Sequence, residues 1–460
     1  MVINRFVTDM DNHINLVLLI MFELCLMFIT LRRFNRCLFS PSVLTISLFL
    51  ISSLLCFYCR FYWDIVFYFE TFIVVSLGLL FIFVAEIFAK KNQINHIENG
   101  NIYLIELPNS IKIIISIYSV VATILYFYEI WKIGIAQNML IGEAIANVKE
   151  DFSSYEDSFN PIIRQGYKMV IAIAYIFTYF FVNNYVICKQ KLRVSFWYIL
   201  PLFSGICINL ISGSRGDMLR LVLLFLFFYY MCLWQKNYWQ KRPNINLVKI
   251  AIPVLTIMLS IFFLARLFVK VDIESQERVG GPIEYLSYYI GSPLQVLNIH
   301  INQITNHPNA NEATSFAYCT MNGIYDFLIK NNFIDKTSIN RPKVGFGFEY
   351  IGGESNAAGN VDTILSQSII DFGIIGMCVY VFVIYYLISR YFYRNVLYKS
   401  MSDKSVKQII LFSFFYYIVE MSFYADCTGQ VLSQTGVLQF ICLLFLVRFL
   451  IKPQYFTPYE

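Results

Sequence analysis

A short polar turn between two apolar stretches carries the residues best placed for chemistry. Residues 212–217 read Ser-Gly-Ser-Arg-Gly-Asp. An arginine at this depth in a bilayer is unfavourable by a few kcal/mol unless it is paired or bound to an anion. Arg215, beside backbone N–H groups at the start of a helix, matches a phosphate-binding arrangement, with Ser214, Gly216 and Asp217 as its neighbours. The alternative is a turn in which Arg215 reaches the interface and pairs with Asp217.

Other arginines fall in segments that we expect on the same side of the membrane: Arg164, Arg266, Arg278 and Arg341. A diphosphate attached to a lipid lies at headgroup depth, and arginine binds it through two parallel hydrogen bonds. Arg278 and Arg341 are the stronger candidates, because glycine-rich stretches follow them. For each of these arginines the alternative is a solvated loop charge.

Acids and a histidine in the longest polar segment could move a proton. Glu349, Glu354 and Asp362 lie in or near the glycine- and aromatic-rich stretch 345–353, and His300 lies in an amphipathic helix candidate. Any of these side chains could act as general base toward a sugar hydroxyl. The alternative for each is ordinary surface polarity.

The composition places these residues in a membrane protein. Of 460 residues, 58% are apolar and 14% are charged, whereas a soluble domain has about 45–50% apolar and about 25% charged residues. This excludes DNA-binding factors, soluble dehydrogenases and secreted disulfide scaffolds. Most of the 11 cysteines lie in apolar stretches, and no Cys/His cluster occurs. We therefore predict no metal site, cofactor or disulfide framework.

The apolar stretches predict an all-α polytopic membrane protein. A bilayer core of roughly 30 Å requires about 20 apolar residues in a helix. About eleven stretches qualify, of which the last two are shorter: 14–31, 41–59, 64–88, 111–131, 167–187, 196–213, 217–234, 248–269, 365–388, 408–424 and 436–451. The two stretches that flank the 212–216 turn form a predicted helical hairpin.

Lysine and arginine fix the predicted direction of these spans. They concentrate in every second connection, at 32–40, 90–91, 189–193, 236–242, 390–407 and 452. Connections rich in these residues face the cytoplasm, so the N-terminus is expected outside and the C-terminus inside.

The predicted organisation has three parts. Residues 1–269 hold eight transmembrane helices, 270–364 form one large periplasmic loop, and 365–460 hold three more helices. A loop of roughly 95 residues is too long for a simple connector. It contains two amphipathic helix candidates, at about 283–304 and 313–332.

Three features together resemble a known family. They are the Gly213-Ser214-Arg215-Gly216 turn, the large outward loop, and its exit through Asn360-Val361-Asp362-Thr363 into Asp371-Phe372-Gly373-Ile374-Ile375-Gly376. This pattern, over about residues 200–390, resembles the O-antigen and capsule repeat-unit polymerases (the Wzy family) of bacterial inner membranes. That family is similar in architecture to the membrane glycosyltransferases called GT-C.

The resemblance implies a reaction at the periplasmic face of the inner membrane. A growing glycan would pass from undecaprenyl diphosphate to a new lipid-linked repeat unit, without a cofactor or an essential metal. It implies Arg215, with Arg278 and Arg341, at the diphosphate, and Glu354 or His300 as the base. Residues expected to contact substrate are Ser214, Gly216, Asp217, Glu349 and Asp362.

The expected partners follow from this reaction. They are the lipid-linked oligosaccharide, the lipid bilayer and, in the same pathway, a chain-length regulator and a flippase, with no nucleic acid. The first alternative is an O-antigen ligase, which usually has a histidine in the corresponding loop. A flippase or transporter comes next, since acids occur within the spans: Glu23, Glu70, Glu86, Glu129 and Glu420.

Overall fold

A computed structural model describes most of the chain, namely residues 2–91, 102–154, 159–239, 282–306, 315–342, 349–352, 358–359 and 361–459. The helices in chain order are α1 Val2–Arg33, α2 Pro41–Tyr58, α3 Phe69–Lys91, α4 Asn109–Ala136, α5 Ile141–Ser154, α6 Pro161–Phe181, α7 Leu192–Ile211, α8 Arg215–Lys236, α9 Pro282–Ile290, α10 Ser292–Asn306, α11 Asn322–Lys330, α12 Ile364–Tyr391, α13 Asp403–Glu420, α14 Thr428–Leu432 and α15 Gln434–Leu450. Two helices continue as π-helix, α6 through Val182–Ile187 and α12 through Phe392–Val396.

Four short strands form two antiparallel ribbons. The strands are β1 Tyr103–Ile105, β2 Glu349–Tyr350, β3 Ala358–Gly359 and β4 Phe456–Pro458. β1 pairs with β4, and β2 pairs with β3.

Eight of the described helices are long and apolar enough to cross a membrane: His13–Arg33, Pro41–Tyr58, Phe69–Lys91, Asn109–Ala136, Pro161–Ile187, Leu192–Ile211, Gly216–Lys236 and Ile364–Val396. Each corresponds to a predicted span, so the all-α, multi-pass architecture is confirmed. The predicted span 248–269 lies outside the described residues. The last two predicted spans correspond to α13, which opens on charged residues, and to α15, of 17 residues. The total of about eleven therefore stays a prediction.

The chain divides into two compact units. The first unit comprises Met1–Gln93, Ile273–Tyr393 and Phe415–Gln434, and the second comprises Ile94–Asp272, Arg394–Phe414 and Thr435–Glu460.

In the first unit, α10 is a core helix packed among α2, α3 and α12. Its residues from Ser292 to Asn298 are all buried, as expected for a helix that is surrounded on every side. Gly291 separates it from α9, and a Cβ there would lie 2.9 Å from the backbone nitrogen of Cys56. The predicted amphipathic helix at 283–304 is thus two helices joined at a glycine that touches α2.

The basic connections of the first unit lie at one of its ends, and α10 lies toward the other. At one end, Lys90 Nζ donates to the carbonyl of Arg33 (3.2 Å), and Tyr393 donates to Glu86 (2.6 Å), which joins the ends of α1, α3 and α12. At the other end, Asn298 of α10 accepts from Tyr68 N (3.0 Å), just before α3 begins. The predicted cytoplasmic connections of this unit therefore lie together, at the end away from α10.

The second unit contains the predicted helical hairpin, α7 and α8, packed with α4 and α6. Its predicted cytoplasmic connections also meet. Asn184, in the π-helical end of α6, bonds both backbone groups of Ile105 in β1 (3.0 and 2.6 Å). Lys236 at the end of α8 donates to the carbonyl of Ile187 (2.8 Å). These contacts agree with the alternation of basic connections along the sequence.

Candidate functional site

A histidine between two carboxylates lies at the end of the first unit where α3 and α12 begin. Nε2 of His300 lies 3.5 Å from Oε1 of Glu349, and its Nδ1 lies 3.6 Å from Oδ2 of Asp362. Nδ1 also shares a hydrogen bond of 2.8 Å with Oγ of Ser366. That bond fixes the plane of the ring whichever nitrogen carries the proton. We call these four residues, together with Gln303, the His300 cluster.

Two buried atoms of the cluster lack a hydrogen-bond partner within the described residues. They are Nε2 of His300 and Oδ2 of Asp362. Buried polar atoms are nearly always hydrogen-bonded, so an unpaired one in a native structure points to strain, catalysis or an unseen ligand. The cluster therefore has the character of a reactive site rather than of a closed structural network.

Short backbone elements hold Glu349 in place. It pairs with Gly359 in the β2–β3 ribbon. The next residue but one, Ile351, is buried, and its carbonyl accepts from Gln295 of α10 (3.2 Å). Gly352 follows with φ of +104°, and a Cβ there would lie 2.6 Å from the carbonyl oxygen of Trp63. A larger residue would be both strained and blocked, so the glycine sets how closely the ribbon approaches.

Asp362 and Ser366 are placed by the start of α12. The Thr363 side chain caps this helix by accepting from Leu365 N (3.3 Å). The backbone of Ile364 is tied to the carbonyl of Ser422 (2.9 Å). Asp362 lies just before the helix and Ser366 in its first turn, and both approach Nδ1 of His300 (3.6 and 2.8 Å).

The two carboxylates of the cluster have opposite electrostatic environments. The neighbouring His300 ring lowers the pKa of Glu349, and a hydrogen bond from Gln303 (3.2 Å) acts in the same direction. Burial raises the pKa of Asp362, against the opposing effect of His300. Glu349 is thus favoured as the anion, whereas Asp362 retains its proton more readily. Such a divergence is typical of acid–base sites.

Another acid, Asp371 of α12, binds the segment around residues 319–320. It accepts from the backbone N–H groups of Cys319 (3.0 Å) and Thr320 (2.7 Å) and from the Thr320 hydroxyl (2.8 Å). Two residues later α12 is interrupted at Gly373, where φ is 67°. The exposed Arg341 lies over the ring of Tyr318, 5.9 Å from its centroid. Asp371 therefore holds residues 318–320 against the part of α12 before Gly373. Arg341 contacts the same segment through Tyr318.

The hairpin turn forms a separate polar group in the second unit. The hydroxyl of Ser214 donates to Asp217 (2.6 Å), and Arg220 lies 3.9 Å from the other Asp217 oxygen. Arg220 is buried between the rings of Tyr175 (5.1 Å) and Phe414 (5.0 Å). It also donates to the carbonyl of Phe414 (3.3 Å). A desolvated guanidinium between aromatic faces is stabilised by the cation–π attraction.

The structure brings three of the predicted residues into one cluster: His300, Glu349 and Asp362. Ser214, Gly216 and Asp217 lie at the hairpin turn as expected, at or next to the first turn of α8. Arg341 is exposed on the first unit. Arg278, Glu354 and the side chain of Arg215 lie outside what the structure describes, so their placement stays a prediction.

Sequence reasoning missed Ser366, Gln303 and Arg220. Ser366 lies in an apolar helix, where no local pattern distinguishes it. Arg220 carried a signal, because an arginine inside an apolar stretch points to a partner or a function, and it follows Asp217 by three positions, as Gln303 follows His300.

No family model, no curated protein and no solved structure matches the chain.

Proposed function

We propose that the protein is a membrane glycosyltransferase that extends a glycan carried on a lipid diphosphate, an O-antigen or capsule polymerase. The observation that carries the proposal is His300 held between Glu349 and Asp362 at one end of a membrane-embedded helical unit. A glycosyl transfer to a sugar hydroxyl requires a group that accepts a proton at that place. The resemblance of the 200–390 region to the polymerase family supplies the substrate class.

The direction of the site supports the same proposal. The basic ends of α1, α3 and α12 meet at the end of the first unit opposite to the cluster. Ser366 and Arg390 lie near the two ends of α12, roughly 35 Å apart along the helix. With the basic end in the cytoplasm, the His300 cluster faces the periplasm, where lipid-linked repeat units are polymerised. The localisation that follows is the bacterial inner membrane.

The proposed roles of the individual residues follow the resemblance to the polymerase family. Arg215, aided by Arg278 and Arg341, would stabilise the charge that develops on the leaving diphosphate. Ser214, Gly216 and Asp217 would shape the turn around it. His300 or Glu354 would accept the proton of the acceptor, with Glu349 and Asp362 beside the substrate.

An O-antigen ligase is the second candidate, favoured by one observation. His300, in the loop where ligases usually have a histidine, is buried and held by two carboxylates. A ligase would use the same proton chemistry but would deliver the finished glycan to the lipid A core. A flippase or transporter ranks third. The interior acid Glu86 is bonded to Ser42 (2.7 Å to its backbone N–H) and Tyr393 (2.6 Å), as expected for a structural contact within the helix bundle.

Deletion of the gene distinguishes these functions on a gel of the surface glycan. For a polymerase, the deletion strain shows core lipid with one repeat unit instead of a ladder. For a ligase, the core is bare and long chains accumulate on the carrier lipid. An unchanged ladder contradicts both and favours transport.

The role of Arg215 at the diphosphate is tested by complementing the deletion strain with variants at matched membrane abundance. Arg215→Ala should lower polymerisation about 100-fold or more, because it removes a cation from the transition state. Arg193→Ala is the matched control, since Arg193 is an exposed arginine at the opposite end of the same hairpin. Full ladders with Arg215→Ala would remove that residue from the reaction.

A further inference from the structure

The three titratable groups of the His300 cluster differ in their access to solvent. The Glu349 side chain is 22% exposed, whereas the His300 and Asp362 side chains are 3% and 8% exposed. A general base must come within hydrogen-bond reach of the hydroxyl that it deprotonates. Of these three groups, Glu349 presents the largest surface to an acceptor from outside.

We propose that Glu349 is the general base of this site and that His300 is a positioning residue that holds it. The inference rests on the proposed function, transfer of a glycan from a lipid diphosphate to a sugar hydroxyl. It moves the proton-accepting role from His300 to its carboxylate neighbour. His300 acts through Glu349 and does not touch the substrate.

Two contacts fix the orientation of the Glu349 carboxylate. Its Oε1 faces Nε2 of His300 (3.5 Å), and its Oε2 accepts from the Gln303 amide (3.2 Å). His300 and Gln303 lie three positions apart on α10, so one face of one helix supplies both contacts. His300 lies on the buried part of α10, so one of the two contacts is held by packed core residues, as a preorganised site requires.

Two further contacts hold the His300 ring in place. Ser366 shares its hydrogen bond with Nδ1 (2.8 Å), and Asp362 lies 3.6 Å from the same nitrogen. Within the described residues, the titratable group that faces Glu349 is His300, and Asp362 stands behind the ring. The ring also lowers the pKa of Glu349, which favours the anionic form that a base requires.

The proposed step is a substitution at the anomeric carbon of the donor. The acceptor oxygen forms a bond to the anomeric carbon of the donor while its proton passes to the Glu349 carboxylate. The bond between the anomeric carbon and the diphosphate oxygen breaks, and its electron pair leaves with the lipid diphosphate. The proton on Glu349 then passes to water or to the departing diphosphate, which restores the base.

The test uses the full-length protein in membranes of the deletion strain, which supply its accumulated lipid-linked repeat units. Elongation is measured over a pH series at matched protein abundance. Glu349→Gln should lower the rate about 1,000-fold at every pH and remove the acid limb of the profile. Glu349→Asp, which keeps a carboxylate, should retain a reduced rate and an acid limb. Glu70→Gln, an exposed acid at the start of α3, is the matched control and should behave as wild type.

His300→Gln separates positioning from catalysis. It should lower the rate only about tenfold. Its acid limb should move to higher pH, because Glu349 loses the partner that lowers its pKa.

Two results would overturn the assignment while leaving the proposed function intact. One is near-wild-type elongation by Glu349→Gln. The other is complete loss with His300→Gln at all pH values, together with a preserved acid limb in Glu349→Gln, which would make His300 the base. If wild-type membranes fail to elongate the units and the deletion leaves the surface glycan unchanged, the proposed function itself fails, and this inference with it.

Discussion

The two polar groups of this protein are built in contrasting ways. The His300 cluster joins side chains that are as many as 66 positions apart, from α10, the β2–β3 ribbon and the start of α12. The polar contacts of Asp217 at the hairpin turn lie within residues 214–220, whereas the rings and the carbonyl around Arg220 come from α6 and α13. The first group is mainly acidic around one histidine, and the second is centred on a buried arginine.

The contrast separates stability from reactivity. Arg220 is surrounded by a carboxylate, two aromatic rings and a carbonyl, an arrangement that stabilises the buried charge. In the His300 cluster, by contrast, the buried carboxyl of Asp362 lies 3.6 Å from His300, and burial raises its pKa. A buried carboxyl with a raised pKa opposes folding at neutral pH. We therefore expect substitutions in the two groups to change stability in opposite directions.

The largest expected effect on stability is at Arg220. Arg220→Met keeps the apolar stem but removes the charge that contacts Asp217 and the two rings. Asp217 is 33% exposed and lies 3.9 Å away, so the loss comes mainly from the cation–π contacts and the hydrogen bond to Phe414, and it should lower stability by about 2 kcal/mol. The measurement is the thermal midpoint of the detergent-solubilised protein. Arg193→Met, at an exposed position, is the control and should change stability by less than about 0.5 kcal/mol. Equal midpoints for the two variants would contradict a structural role for Arg220.

The same contrast explains what the sequence could predict. Apolar stretches of about 20 residues and the polar turn between two of them are local patterns, so eight spans and the hairpin are correct. His300, Glu349 and Asp362 could be selected by residue type, since acids and histidine are the usual proton carriers. Their meeting depends on the packing of α10 against α12, which no local pattern encodes.

Two residues show where local reasoning fails. Ser366 looks like a small residue in an apolar helix, and its role appears only when His300 lies beside it. Arg220 falls in an apolar stretch, where the expectation placed the chemistry at Arg215. The structure shows Asp217 bonded to Ser214 and Arg220, which a reading of the turn alone could not foresee.

An opposite change in stability is expected at Asp362. Its pKa is raised by burial, so above the usual Asp value of 3.8 the unfolded chain is ionised while the folded state favours the proton. This group therefore stabilises the folded state only at low pH, and the contribution is lost as pH rises through the folded pKa. Asp362→Asn removes the penalty and should raise stability at pH 7 by about 1 kcal/mol.

The pH dependence provides the control for this prediction. The gain in thermal midpoint from Asp362→Asn should shrink toward zero as pH is lowered to the ordinary Asp value. Elongation should fall about tenfold, since Asp362 helps to hold the His300 ring. A variant that is less stable than wild type at pH 7 would show that the buried carboxylate is fully satisfied, and the contrast between the two groups would disappear.

The smallest expected effect is at Ser214. Ser214→Ala removes one hydrogen bond to Asp217 in a partly exposed turn, while Arg220 still holds the carboxylate. A hydrogen bond of this kind contributes about 1 kcal/mol, so the thermal midpoint should fall slightly, and Ser214→Thr should restore it. A loss of stability above about 2 kcal/mol would mean that no other group in the turn can replace the hydrogen bond from Ser214 to Asp217. The hydrogen bond between neighbouring residues of the turn would then no longer explain its stability.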